Sequence, residues 1–76
     1  MDVYGRVAHV LLEAATPNAD GQMVIRDKIS RQDVAKMVGA SREMVSRVMK
    51  DLEERGYIEG HDNGSTHIRS VLGSLT

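Results

Sequence analysis

A group of hydrogen-bonding side chains is concentrated in a short stretch of the chain, between residues 42 and 50. Its members are Arg42, Glu43, Ser46, Arg47 and Lys50. If this stretch is helical, a rotation of about 100° per residue carries them away from a buried stripe through Val45, Val48 and Leu52. The spacing therefore predicts a helix with one apolar face and one face rich in donors and acceptors.

The chemistry of this polar face suits the edges of nucleic-acid bases. An arginine offers two donors to O6 and N7 of guanine, and a glutamate accepts from N4 of cytosine. Two arginines with a glutamate between them, Arg42, Glu43 and Arg47, could read a site that contains G·C pairs. The alternative is an ordinary solvated helix face, held by a Glu43–Arg47 ion pair one turn apart.

Local signals indicate how this helix is positioned. Ser30 is a predicted N-cap for a helix over 31–38, and Ser41 is a predicted N-cap for a helix over 42–55. Gly39 lies in the three-residue turn between them, and Ala35 is small where the second helix would cross. We expect the first helix to bury Val34, Ala35, Met37 and Val38. Two helices joined in this way are a helix-turn-helix pattern.

The flanking segments complete a small fold. Apolar spacing predicts a helix over 2–15, a turn-rich break over 16–21 and a short strand over 23–26. Two further strands are predicted over 57–59 and 66–69, with a loop over 60–65 and a hairpin signal at Asn63-Gly64. The expected fold class is α+β, a winged helix-turn-helix with three helices and a small antiparallel β-hairpin wing. Residues 70–76 are ambiguous between a packing surface and a disordered tail.

Composition narrows the classes of protein. The chain has 76 residues and no cysteine, so we expect residues 1–76 to form a single domain without a disulfide framework. No apolar run is long enough to span a bilayer, and we expect no membrane partner and a cytoplasmic location. The net charge is −1, but seven basic and three acidic residues between 26 and 50 give that segment +4. Local potential matters more to a phosphate than the total charge.

Several motifs carry a family resemblance over residues 2 to about 61. They are "SRQ" opening the first motif helix, "VGASRE" across the turn, "SR" one turn later and then "LEERGYI". The sequence resembles the C-terminal DNA-binding domain of the cyclic-AMP receptor protein / fumarate-nitrate regulator (Crp/Fnr) family of bacterial transcription regulators. That resemblance implies sequence-specific binding of double-stranded DNA, with helix 42–55 in the major groove of a TGTGA-like half-site.

The resemblance also implies roles for single residues. The base-reading residues are Arg42, Glu43, Ser46 and Arg47. A serine directly before the arginine matches fumarate-nitrate-type members, whereas Arg42 favours the TGTGA reading. The predicted phosphate contacts are Ser30, Arg31, Ser41, Lys50 and His61. Met44 departs from the pattern, which has a small hydroxyl residue there.

The family pattern places further parts of such a regulator outside these residues. A regulator of this family begins with a cyclic-nucleotide-binding β-barrel and a long dimerisation helix. The resemblance therefore implies that this chain is a fragment of a larger regulator. No cofactor is expected here, because a cyclic nucleotide or other effector would bind the N-terminal domain. The full-length protein is expected to be a homodimer. RNA polymerase is an implied partner, although the segment 16–21 is shorter than the family's polymerase-contacting surface.

Other functions have weaker support in the sequence. The histidines His9, His61 and His67 fit no metal-ligand spacing, and no residues suggest acid–base or nucleophilic catalysis, so we expect neither a metal site nor an enzyme. A winged helix can also be a protein-interaction module that does not bind DNA. Such a module would usually expose apolar side chains on its second helix, and the polar face over 42–50 favours DNA.

Overall fold

The computed structural model describes residues 2–27, 29–61, 64–69 and 72. Within them the chain forms the helices α1 (Val3–Ala14), α2 (Arg31–Val38) and α3 (Arg42–Glu54), and the strands β1 (Thr16–Pro17), β2 (Met23–Ile25), β3 (Ile58–Gly60) and β4 (Thr66–Ile68). The predicted α+β winged helix-turn-helix is confirmed.

Helix α1 forms one wall of the core. Asp2 is its N-cap, and the Asp2 Oδ1 accepts a hydrogen bond of 2.9 Å from the Gly5 amide. Val7, Ala8 and Leu11 recur at helical spacing and are fully buried. The prediction of a helix over 2–15 is confirmed to within one residue at each end.

The turn between α2 and α3 is set by local chemistry, as predicted. The Ser30 Oγ accepts from the Asp33 amide at 3.0 Å, and the Ser41 Oγ accepts from the Met44 amide at 3.1 Å. Gly39 ends α2 with φ at 72°, in the left-handed region that glycine enters at no steric cost. Three residues therefore suffice to turn the chain from one helix into the next.

Helix α3 is held by its apolar stripe, whose members are Val45, Val48, Met49 and Leu52, all buried as predicted. On α2, Val34, Ala35 and Val38 are buried as predicted. The prediction that Met37 faces inward is wrong, because its side chain is 66% exposed. It lies about 100° around α2 from the centre of the buried stripe, beyond the reach of the core.

The strands form one antiparallel sheet in the order β1-β2-β4-β3. The predicted wing is the β3–β4 hairpin, in which Glu59 is the register partner of His67. Strand β2 pairs with β4 and so extends the hairpin, and β1 pairs with β2 at the edge of the sheet. The prediction of a break over 16–21 is therefore wrong at Thr16 and Pro17. Pro17 is tolerated because an edge strand needs no amide donor on its outer side.

Two predictions fall largely outside the described residues. Asn63 of the hairpin signal is not among them, whereas Gly64 is, with φ at 88°. Of residues 70–76, only Leu72 is described. It is fully buried, and its amide donates to the Arg69 carbonyl at 3.0 Å. At this position the chain contributes to the core.

Polar contacts tie α1 to both helices of the motif. The Tyr4 hydroxyl donates to Asp51 Oδ2 at 2.6 Å, and Asp51 also pairs with Arg55 at 3.1 Å. The Arg6 Nη1 donates to the Val38 carbonyl at 3.2 Å, where the C-terminus of α2 favours a cation. Partial burial of the phenol, its hydrogen bond to Asp51 and the negative charge of that carboxylate raise the pKa of Tyr4 to about 12.

The raised pKa of Tyr4 predicts a dependence of stability on pH. Since the ordinary tyrosine pKa is about 10, the contribution of Tyr4 is fully present below pH 10 and is lost as the pH rises towards about 12. Urea denaturation of the wild type and Tyr4→Phe should differ by about 1 kcal/mol at pH 8, the value of one hydrogen bond. The difference should shrink at high pH, because Asp51 then faces a phenolate.

The control for this measurement is Tyr57→Phe, which removes the other tyrosine of the chain. It should keep most of the pH dependence of the wild type, because the charge of Tyr57 is the smallest of the causes that act on the pKa of Tyr4. A free-energy difference between wild type and Tyr4→Phe that is constant from pH 8 to high pH would contradict the role of the Tyr4–Asp51 hydrogen bond.

Candidate nucleic-acid interface

The exposed face of α3 gathers the predicted base-reading residues. Arg42, Glu43 and Arg47 are exposed, and Ser46 is half-buried. Arg42, Glu43 and Ser46 line one shallow depression at the start of the helix. Glu43 and Arg47 lie opposite the buried stripe, and Arg42 and Ser46 lie on one flank of the exposed face. The fold therefore presents donors and acceptors together on one exposed surface.

The part of the chain that the structure describes does not contain the Glu43–Arg47 ion pair of the alternative interpretation, an ordinary solvated helix face. The ion pairs within the described residues are His9–Glu13, Asp51–Arg55 and Glu59–His61. None of them joins Glu43 to Arg47. The charged groups of Glu43 and Arg47 are therefore exposed to solvent. Together with the exposed Arg42 and Lys50, they give this face three positive charges and one negative charge.

The serines predicted to contact phosphate lie at the two helix starts of the motif. Ser30 and Ser41 are both exposed, and each hydroxyl oxygen accepts a capping hydrogen bond from an amide. A hydroxyl that accepts in this way still has its own hydrogen to donate. Helix N-termini also carry free amides and a partial positive charge, which favour anions. Capping and anion binding are therefore compatible at both serines.

The remaining cations of the predicted phosphate set flank the motif. Arg31 is the first residue of α2 and is exposed. Its guanidinium therefore adds positive charge at the end of α2 that Ser30 caps. Lys50 is exposed two turns after Arg42 on α3. The positive charge of this surface thus extends from the start of α2 along α3, although the chain as a whole has a net charge of −1.

The wing holds a cluster that sequence reasoning missed. His61 is exposed just after β3, with its Nε2 3.4 Å from Glu59 Oε1 and its ring stacked on His67 at 3.9 Å. The signal for it was the hairpin register, which makes Glu59 and His67 partners. His61 thus lies in the wing directly after β3, with a carboxylate beside it.

Other predicted positions lie away from this surface. His9 lies on the exposed side of α1 and pairs with Glu13 at 2.9 Å. At the acidic end of α3, Glu53 and Glu54 are exposed, whereas Asp51 is half-buried against Tyr4. Over the described ranges, no group of three metal-ligating side chains converges. In the same residues, no helix has both the length and the apolarity to cross a membrane.

These elements define a winged helix-turn-helix protein, and comparison with known proteins agrees. Residues 5–71 match the model of the Crp-like helix-turn-helix domain. The chain belongs to this family, which confirms the resemblance seen in the sequence motifs.

Named relatives give the wider context. The chain is 44% identical over 73 residues to the cAMP-activated global transcriptional regulator Vfr of Pseudomonas aeruginosa, covering 90% of this chain and 32% of that protein. It is 44% identical over 66 residues to the cAMP-activated global transcriptional regulator CRP of Pasteurella multocida, covering 80% of this chain and 30% of that protein. The chain therefore spans about a third of the length of these relatives.

A solved structure shows the same architecture. A transcriptional regulator of the CRP/FNR family from Thermus thermophilus superposes with a TM-score of 0.75 and 27% identity. The match covers 99% of this chain and 40% of that chain. The β1–β2 hairpin and the wing thus belong to a fold that recurs in this family.

Ser41 caps α3 and is also a predicted phosphate contact, so Ser41→Ala should have two effects. Loss of the N-cap should lower the free energy of unfolding by about 1 kcal/mol. Duplex DNA should also bind more weakly, by the same factor for every sequence, because phosphate contacts position a protein without reading bases. Urea denaturation and fluorescence titration of two unrelated duplexes measure the two effects.

The matched control is Asp2→Ala, which removes an equivalent cap from α1. It should lower stability by a similar amount and leave DNA affinity unchanged. If Ser41→Ala altered the order of preference among duplexes, or bound DNA as tightly as Asp2→Ala, the phosphate role of Ser41 would be wrong.

Proposed function

We propose that the chain binds double-stranded DNA in a sequence-specific way, by placing the N-terminal half of α3 in the major groove. The observation that carries this proposal is the exposed face of α3, where Arg42, Glu43 and Arg47 form no ion pairs with one another. The major groove admits a helix, and the first residues of such a helix meet base edges. Its relatives Vfr and CRP are named as transcriptional regulators.

The position of each side chain around α3 assigns its role in base reading. Glu43 and Arg47 lie near the centre of the exposed face, so they project deepest into a groove. Arg47 donates to O6 and N7 of a guanine, and Glu43 accepts from N4 of a cytosine. Arg42 and Ser46 lie on one flank and read an adjacent pair. This set suits a TGTGA-like half-site, in which guanines alternate with thymines.

The phosphate backbone is held from the helix ends and the wing. Ser30 and Ser41 donate their hydroxyl hydrogens to phosphate oxygens, while their own oxygens continue to cap the helices. Arg31 and Lys50 add positive charge on either side. His61 contacts phosphate from the wing, where its Nε2 lies 3.4 Å from Glu59 Oε1.

The wider protein is part of the proposal. Residues 1–76 act as the DNA-binding domain of a larger bacterial transcription regulator, located in the cytoplasm and without catalysis in this domain. A cyclic nucleotide or another effector binds the N-terminal domain of that regulator. The full-length protein is a homodimer, which meets two half-sites of a palindrome, and RNA polymerase is its further partner. The support is the regulator names of the relatives and the match over a third of their length.

A winged-helix protein-interaction module is the competing function, and no observation favours it. The exposed face of α3 has charged side chains at its centre and Arg42 and Ser46 on one flank, with Met44 as an apolar exception on the other flank. Such a surface is costly to desolvate against an apolar partner.

The direct test of the proposed function is Arg47→Ala, titrated with a duplex containing TGTGA and with a scrambled duplex of the same composition. Affinity for the TGTGA duplex should fall by roughly 1–3 kcal/mol, because one bidentate contact to guanine is lost. Affinity for the scrambled duplex should fall much less. Wild-type binding to both duplexes should weaken steeply as salt increases, through release of counterions.

The control for charge alone is Lys36→Ala, which removes an exposed cation from α2, away from the groove-facing surface. It should not change the ratio of the two affinities. Equal losses on both duplexes for Arg47→Ala would make Arg47 a phosphate contact. The absence of any salt-dependent binding by the wild type would rule out the proposed function.

A further inference from the structure

The exposed methionine on α3 is not explained by packing. Two large apolar side chains are exposed among the described residues, Met37 and Met44, and Met44 is 41% exposed. The other methionine of α3, Met49, is 6% exposed and belongs to the core. Met44 therefore offers a partly exposed apolar side chain on the helix that carries the predicted base-reading residues.

The location of Met44 restricts that partner. It is the third residue of α3, next to Glu43 and one turn before Arg47. At about 100° per residue, it lies about 60° around the helix from Arg47, on the flank opposite Ser46. Long side chains in helices lean towards the N-terminus, so Met44 leans towards the end of α3 that would enter the groove first.

The backbone of Met44 is fixed at this point. Its amide donates to the Ser41 Oγ at 3.1 Å, the capping hydrogen bond that starts α3. The side chain is unbranched and flexible, and it projects from an anchored first turn. It can therefore adjust to a surface at the groove wall without a cost in helix geometry.

The chemistry of the thioether excludes most contacts at a DNA surface. It has no N–H or O–H to donate to a phosphate or to a base acceptor. The one apolar group that a base pair presents in the major groove is the C5-methyl group of thymine. Covering that methyl removes apolar surface of both groups from water.

We propose that Met44 is a specificity-determining residue that packs on the C5-methyl group of a thymine beside the pair read by Arg47. This inference rests on the proposed function, since it places α3 in the major groove. It adds an apolar contact to a readout that otherwise consists of hydrogen bonds. This contact therefore selects DNA sites in which a thymine is adjacent to a guanine.

Uracil tests this contact, because it pairs like thymine but lacks the methyl group. Duplexes containing TGTGA are prepared with each thymine of either strand replaced in turn by uracil, and the intact chain is titrated with each. The wild type should bind one of these duplexes about fourfold more weakly, the value of one buried methyl group, and the others equally well.

Variants of Met44 identify the residue responsible. Met44→Ala should bind the thymine and uracil duplexes with equal affinity, and Met44→Leu should keep most of the uracil penalty. The matched control is Met37→Ala, which removes the exposed methionine of α2 and should keep the full penalty. Binding to a scrambled duplex should not change in any of these variants.

Two outcomes would overturn the inference while leaving the proposed function intact. One is a wild type that prefers TGTGA to the scrambled duplex yet shows no uracil penalty at any position. The other is a penalty that persists unchanged in Met44→Ala, which would assign the thymine methyl to another side chain. A wild type without preference for TGTGA over the scrambled duplex would overturn both the function and the inference.

Discussion

The burial of one side of α3 is the constraint on which the rest of the structure depends. Val45, Val48 and Leu52 place the helix against α1 and α2, and removal of such side chains from water is the main favourable term in a domain of this size. Because a helix has a fixed period, burial of this stripe determines the opposite face. Arg47 and Glu43 are exposed as a consequence of how α3 packs.

The surrounding elements keep that orientation fixed. The Gly39 turn limits how far α2 and α3 can separate, and the Tyr4–Asp51 hydrogen bond joins α1 to the far end of α3. Strand β3 follows α3 after a short turn, and Ile58 at its start is buried in the same core. A helix held at its start, its middle and its end can present a rigid set of side chains to a rigid duplex. Preorganisation of this kind reduces the entropy lost on binding.

The parts of the fold that could be predicted from the sequence are those determined by local chemistry. Ser30, Gly39 and Ser41 mark helix ends through contacts within a few residues, so their roles could be predicted. Contacts between distant segments could not. The exposure of Met37 depends on which side of α2 packs into the core, and strand β1 exists because β2 pairs with it. The base-reading set was found because helix periodicity places it; the Glu59–His61–His67 cluster was missed because it depends on hairpin register.

Selection from a random pool of duplexes tests most directly whether the exposed face of α3 reads base edges. Two copies of the chain are joined by a flexible linker, so that binding of the second copy occurs at high effective concentration. Duplexes retained by the joined protein are sequenced. We expect enrichment of a TGTGA-like motif in two copies, spaced by whole helical turns of about 10–10.5 base pairs. Retention of duplexes with no common motif, by a protein that is fully folded, would contradict it.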